Sequence, residues 1–484
     1  MPTHNPSTRN RVLIVTFDGL RPDMVDPAIM PNLTAFAERG VRMAGSRAVF
    51  PTETRVNQAS LVTGCWPERH GIVANVFRDP DAGLDGLTNS GDDDDLLALM
   101  GALDGKLVDV PVLGEILADH DRTLAVVGSG TAGGTRILHH RAEALDGFRL
   151  SLYRPDRSVP PTRIDAVLDQ IGVIPEETIP ALDRLTYATD VYLDYVEPML
   201  RPDVCILWFF EPDLVYHYKG VGTPDSVAAL THADRQFGRV LERWQGDPEL
   251  QIVTLSDHGH VTMAGEPIDV LEALCAAGFR AGRAFADDID MVVNLSRVGG
   301  ITVRDGDPGL RNGVVDWLHA QPWVGPVLTR DHRDTLHFDD FRIGHRRVPD
   351  VVFSTTSDHG DNEFGWPGLA ISGAARLPAG AGNHGGLHRA ELHNWFAAGG
   401  SAFRAGHVDQ APCGIPDVLP TVLDVLGLPV PETVQGRVLA AALADVDLFD
   451  ADCAERMLTD GLGRHRVSVS DVGGRRYING EVVY

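Results

Sequence analysis

Cysteine and lysine are the scarce residues of this 484-residue chain. Its five cysteines, Cys65, Cys205, Cys275, Cys413 and Cys453, are widely scattered and form no CxxC pair, which argues against a disulfide framework or a cysteine zinc knuckle. They read as small buried residues in a reducing compartment. Lysine occurs only at Lys106 and Lys219; every other basic side chain is arginine, histidine aside. Positive charge as a whole is short, with 42 Lys+Arg against 68 Asp+Glu and a net charge of −26. That sign repels phosphate backbones and excludes a nucleic-acid polymer as partner. Long apolar runs are missing too. None approaches the roughly 20 residues that cross a bilayer, so no membrane association is expected. Residues 1–11 are polar and lead into one short apolar run, without the pattern of a secretory signal, and the expected compartment is the cytoplasm.

What is present is globular: 43% hydrophobic and 23% charged residues. The length suits roughly two to four domains or one large α/β unit with insertions. RVLIVTF (11–17) reads as a buried strand before a Gly-containing turn, and 31–39 as a short amphipathic helix stopping before Gly40. Further continuous apolar runs lie at 123–130, 204–210, 251–257 and 349–355, with helical stretches such as 226–244 and 416–426 between them. Apolar strands without polar alternation, separated by helices, imply an α/β fold with a largely parallel central sheet and helices on both faces. The segment 265–347 carries its own strand (291–295) and helix (312–320) and reads as an inserted cap. The catalytic core would then be 1–264 and 348–445. The remainder, 446–484, is expected to hold a helix and a peripheral hairpin turning at Asn479-Gly480.

In such sheets functional groups gather where parallel strands end. Asp18 follows the first strand, in FDGLRPD. EPDLVYH after the run at 204–210 places Asp213 and His217 four residues apart, SDHGH after 251–255 supplies Asp257 and His258, and the Gly-flanked GNHGG supplies His384. Three Asp and three His next to turns are the residue types that bind zinc. Thr54, in FPTETRVN, opens an apparent helix at 55–62, where free N–H groups and the helix dipole favour an anion. A Thr hydroxyl is a poor nucleophile near neutral pH unless a metal stabilises its alkoxide.

DGLRPD, PTETRVN, TGCWPERHGIVAN, EPDLVYH, SDHG and GNHGG, in this order, resemble the nucleotide pyrophosphatase/phosphodiesterase branch of the alkaline phosphatase superfamily, to which phosphonoacetate hydrolases are close. The resemblance implies an alkaline-phosphatase-like fold and two zinc ions per chain, other divalent metals being admitted. One ion would be held by Asp213, His217 and His384, the other by Asp18, Asp257, His258 and the Thr54 oxygen. It further implies that Thr54 attacks phosphorus to give a covalent phosphothreonine, and that Asn75 donates to a non-bridging phosphate oxygen. Trp208 falls where nucleotide-cleaving members stack an aromatic on the base, and Phe77 is a second candidate for flanking the substrate.

Three departures from the family pattern stand out. Tyr216 replaces the usual Gly before the metal His, and would narrow the pocket or supply a hydroxyl. His260 replaces the usual Met after SDHG, and would orient a ligand or be exposed. SDHG also recurs at 357–360. Spacing favours the first copy: 44 residues separate Asp213 from Asp257 and 126 separate His258 from His384, which leaves Asp358 and His359 at the cap or pocket edge.

The expected substrate is small and phosphorylated, a phosphodiester or pyrophosphate of nucleotide type. Carbon–phosphorus cleavage of a phosphonate is the alternative; it needs a cation for the substrate carboxylate, and Lys106 and Lys219 are the candidates. A phosphomonoesterase comes next, and a non-catalytic metal-binding protein is the reading from another class. The acidic run from Asp92 to Asp95 reads as a solvated loop. A homodimer is admitted.

Overall fold

The computed structural model describes residues 9–84, 86–245, 247–373, 377–446 and 452–482. RVLIVTF forms β1 (Arg11–Phe17), every residue of which is buried. It lies between β2 (Val204–Phe209) and β3 (Leu250–Leu255), parallel to both, with Thr16 opposite Trp208 on one side and Leu255 on the other. Leu124–Gly128 and Phe148–Ser151 continue the parallel run beyond β2. On the other edge Phe396–Gly399 is antiparallel to β3, followed by Val41–Met43 and His407–Asp409. The result is an eight-stranded sheet with one reversed strand.

The unbroken apolar character of β1 follows from its two buried faces. Val12 and Ile14 pack into a core with Val56, Ala59 and Val62 of α1 (Thr54–Thr63). Leu13, Val15 and Phe17 point the other way, into a core with Leu33, Phe36 and Phe237. There Phe36 meets Phe237 edge to face at 5.3 Å, joining the helix Pro31–Arg39 to the helix Pro224–Trp244. Burial of each such side chain contributes about 1.5–3 kcal/mol, which is why alternation is absent from the sequence of this strand. The longer helix begins two residues before its expected start, because the Thr223 hydroxyl accepts from Ser226 N–H and Pro224 takes the first position.

Three expectations are corrected. The run at 349–355 belongs to a different sheet: Val351–Thr355 pairs with Val298–Val303 and Val324–Thr329 in a six-stranded sheet. A strand expected in the core segment 348–445 thus shares a sheet with strands of the segment 265–347; an apolar run signals burial but not which sheet buries it. Residues 452–482 contain no helix but a three-stranded antiparallel sheet, Cys453–Thr459, Arg466–Val472 and Arg475–Glu481; residues 447–451 and 483–484 of the expected 446–484 segment lie outside the described residues. Its last hairpin turns at Gly473-Gly474, whose φ values of +54° and +80° suit the turn, while Asn479 sits within a strand bonding Ser468 and Ser470. Finally, all five cysteines are free, but Cys275 and Cys453 are exposed rather than buried. Among the described residues no helix is long and apolar enough to cross a membrane.

Candidate active site

Because β1, β2 and β3 are parallel, their carboxyl ends share one edge of the sheet. Asp18 follows β1, Asp213 opens α2 (Asp213–Lys219) after β2, and Asp257 lies two residues past β3. Backbone N–H groups lock the three turns together: Asp213 N–H donates to Asp18 O at 3.0 Å, and Gly19 N–H to the side-chain Asp257 Oδ1 at 3.1 Å. His217 follows Asp213 by one helical turn and brings Nε2 to 3.3 Å from Asp213 Oδ1. His384 Nε2 approaches the same oxygen at 3.4 Å, and its ring stacks on that of His258 with centroids 3.7 Å apart. His258 Nε2 lies 3.5 Å from Asp18 Oδ1, 3.3 Å from Asp257 Oδ2 and 3.1 Å from Thr54 Oγ1. Two groups of side chains could thus each hold a cation: Asp213, His217, His260 and His384, and Asp18, Asp213 and His258.

The donor chemistry fits metal ions. His217, His258 and His384 donate Nδ1–H to the carbonyls of Gly382, Gly259 and Thr52, at 3.0, 3.1 and 2.7 Å. Each Nε2 is left as a lone pair facing the carboxylates, the arrangement of metal-ligating histidines. Asp18 Oδ1 and Asp257 Oδ2 are buried without a hydrogen bond. Burial, and then Asp257 and Asp213 beside it, push Asp18 well above the usual carboxylate range, and burial raises Asp257 too. Burial opposes ionisation of Asp213 as well, but without a cation His217, whose protonation that carboxylate favours, and then His260 and His384 hold it well below that range. Without a cation, neighbouring carboxylates repel one another in a desolvated space, a cost that a dication removes.

Thr54 is the first residue of α1 and is buried. Asn75 Oδ1 accepts from Arg55 N–H at 3.1 Å, which assigns the amide orientation and directs Nδ2 away from that contact, with no acceptor among the described residues. Glu53, to which no sequence motif gives a role, accepts from Asn75 N–H and is buried. Burial pushes its carboxyl up to about 7, against the opposing effects of that N–H and of Arg55. An unfolded Glu titrates near 4.5, so the stability linked to the proton is fully present below that pH and is lost as pH rises through 7. The shift corresponds to about 3 kcal/mol. Glu53→Gln should lack this pH dependence and be more stable than the parent at pH 8 by about that amount. Urea unfolding of the metal-stripped proteins from pH 4.5 to 8 tests this; parallel profiles would reject it.

The residues expected to meet substrate are placed differently. Trp208 is 2% exposed, with its indole N–H donating to Asp18 Oδ2 at 2.9 Å, so it offers no face to a base. Phe77 is 1% exposed and lies beneath the guanidinium of Arg347. Trp208 sits on a strand buried on each side and Phe77 in the two-residue strand Val76–Phe77, paired with Thr88–Asn89; the aromatic left half-buried at the end of β2 is Phe210, packed edge-on against Tyr153. Tyr216 is fully buried with its hydroxyl at Met24 Sδ, so it supplies no group to a pocket. Lys106 is exposed, and Lys219, also exposed, lies 3.9 Å from Asp225. Neither makes a polar contact with a member of the site. The second SDHG forms the strand Ser357–Asp361, with Asp358 and His359 exposed. The acidic run opens a helix rather than a solvated loop: Asp92 caps it, Asp93 pairs with buried Arg136, and Asp94 with Arg154 and Arg157.

The family model of type I phosphodiesterase / nucleotide pyrophosphatase matches residues 12–356. The bis(5'-adenosyl)-triphosphatase enpp4 of Xenopus laevis is 43% identical over 75 residues, which is 16% of this chain and 17% of that protein. The chain thus spans well under two thirds of this curated relative. Among solved structures, an inactive threonine-to-alanine form of murine ectonucleotide pyrophosphatase / phosphodiesterase 5 in complex with AMP superposes with a TM-score of 0.60 at 20% identity, covering 87% of this chain and 96% of that one. Phosphonoacetate hydrolase from Sinorhizobium meliloti 1021, in complex with phosphonoformate, gives 0.63 at 20% identity, covering 87% and 97%. At that identity the likeness carries the fold.

Proposed function

Because the chain belongs to the type I phosphodiesterase / nucleotide pyrophosphatase family, we propose that it hydrolyses phosphodiester or pyrophosphate bonds of nucleotide-type substrates through a phosphothreonine at Thr54. The observation that carries this reading is the Thr54 hydroxyl, 3.1 Å from a His258 Nε2 that itself lies 3.5 and 3.3 Å from two buried carboxylate oxygens, of Asp18 and Asp257, that make no hydrogen bond. Asp213, His217 and His384 would hold one zinc ion, and Asp18, Asp257, His258 and Thr54 Oγ1 the other. Paired dications supply positive charge to the attacking and leaving oxygens of an in-line displacement. Thr54 Oγ1 gives up its proton to solvent and bonds to phosphorus as the bond to the leaving oxygen breaks, and the departing oxygen takes up a proton from solvent. The positive end of α1 faces the developing charge, and Asn75 Nδ2 donates to a non-bridging oxygen. Water then displaces Thr54 in a second in-line step and frees its hydroxyl.

Nucleotide substrates are supported by the relative named as a bis(5'-adenosyl)-triphosphatase and by the AMP bound to the murine protein. A phosphonoacetate substrate would need a cation for its carboxylate, and Lys219 is directed at Asp225 while Lys106 is exposed. The expected result for purified protein is about two zinc ions per chain, about one after His217→Ala, and turnover of bis(p-nitrophenyl) phosphate and dinucleoside polyphosphates. A metal-free protein, or one that turns over phosphonoacetate alone, would reject the proposal.

A further inference from the structure

Of the four histidines in the cluster, His260 is built the other way round. His217, His258 and His384 spend their Nδ1 protons on backbone carbonyls. His260 is fully buried, its Nδ1 has no hydrogen-bond partner among the described residues, and its Nε2 lies 2.8 Å from Asp213 Oδ1. A neutral imidazole carries one N–H. On Nδ1 that proton would be buried without an acceptor, while the Nε2 lone pair faced a carboxylate oxygen. On Nε2 it donates to Asp213, and only the acceptor Nδ1 is left bare.

The ring is fixed in this position from several sides. A Cβ on Gly19, whose φ is +71°, would come within 2.9 Å of His260 Cδ2 and Nε2, and one on Gly382 would meet Nδ1 at 3.1 Å. Tyr216 packs edge-on against the ring with centroids 5.0 Å apart. Two of the three departures from the family pattern, Tyr216 and His260, are therefore neighbours. Asp213 Oδ1 receives the His260 proton on one side, while His217 Nε2 and His384 Nε2 approach it at 3.3 and 3.4 Å.

We propose that His260 is a positioning residue, donating Nε2–H to Asp213 and fixing that carboxylate for the ion held with His217 and His384, without ligating the ion itself. The assignment rests on the dication reading above. In a chelator-competition titration of zinc on the full chain, the parent is expected to bind two ions. His260→Met keeps the volume, removes the donor and should weaken one of the two by roughly 10–100-fold. His260→Gln, whose amide carries an N–H to nearly the same place, should return to within about threefold of the parent. A Gln variant as weak as the Met variant, or a Met variant as tight as the parent, overturns the assignment. Should the Met variant fail to fold, cobalt(II)-loaded His260→Gln decides: visible absorption bands like those of the parent are expected, and altered bands would put the imidazole in the coordination sphere and overturn it. A parent that binds no dication overturns the hydrolase reading as well, whereas two ions in the parent with His260→Met unchanged overturns the role of His260 alone.

Discussion

A Thr54→Ala protein is expected to keep its metal and lose hydrolysis by roughly 10⁴-fold or more. The substitution removes one hydroxyl from the cluster and leaves the Asp and His side chains intact. Its cost to the fold should be small. The N-cap of α1 is Glu53 and makes no side-chain cap bond, and Thr54 occupies the first helical position, which Ala tolerates. A change in stability within about 1 kcal/mol is expected from urea unfolding. Zinc content, substrate affinity and turnover, measured on one preparation, separate the roles of this hydroxyl. Lost turnover with metal and binding retained is the outcome for a nucleophile. Unchanged turnover would remove the phosphothreonine and make water the attacking group. Loss of one ion together with turnover would make Thr54 a ligand before anything else.

Much of this site is legible in sequence because its geometry is set locally. Asp18, Asp213 and Asp257 each follow a strongly apolar run, and once the runs are parallel their ends must meet at one edge. His217 is tied to Asp213 by helical spacing alone. What sequence does not carry is the surrounding packing. Trp208 alternates along a strand like any aromatic, and only the burial of both sheet faces turns its indole toward Asp18. His260 follows SDHG by one residue, and the path of that loop decides whether its ring is buried or exposed. Glu53 gains its interest from chain that returns to it at Asn75 and Gly385, contacts of a kind no local pattern encodes. The same reason explains the strand Val351–Thr355, whose apolar run gives no sign of the sheet that accepts it. Competing turn signals are a further case: Gly473-Gly474 supplies two positive φ values without steric cost, so the chain turns there before it reaches Asn479.

Arg297→Met is expected to destabilise the protein by about 3–5 kcal/mol, because it strands a buried carboxylate. Arg297 and Glu391 are both fully buried, with Nη2 3.3 Å from Oε2. The other arm of the guanidinium donates to Thr355 Oγ1 at 2.7 Å, so one side chain joins the six-stranded sheet to the segment that follows His384. Glu391 in turn accepts from Gly386 N–H at 2.6 Å and His388 N–H at 3.2 Å, pinning the loop on which His384 is carried. With methionine at 297 those two backbone donors remain, but the charge that offsets desolvation of the carboxylate is gone. Burial already raises the Glu391 carboxyl while Arg297 opposes the rise, so removing Arg297 should raise it further. The penalty should therefore be largest at alkaline pH and shrink as pH falls and the carboxyl is neutralised. Arg297→Met combined with Glu391→Gln leaves no unpaired charge and should recover most of the loss. Urea unfolding of the parent, the single variant and the double variant at pH 6 and pH 8.5 decides the matter. A loss below about 1 kcal/mol at both pH values would mean that the pair contributes no more than an exposed one. Because the same loop presents His384, a weakened zinc site in the single variant, restored in the double, would show that the six-stranded sheet sets the geometry of the metal centre through this one buried pair.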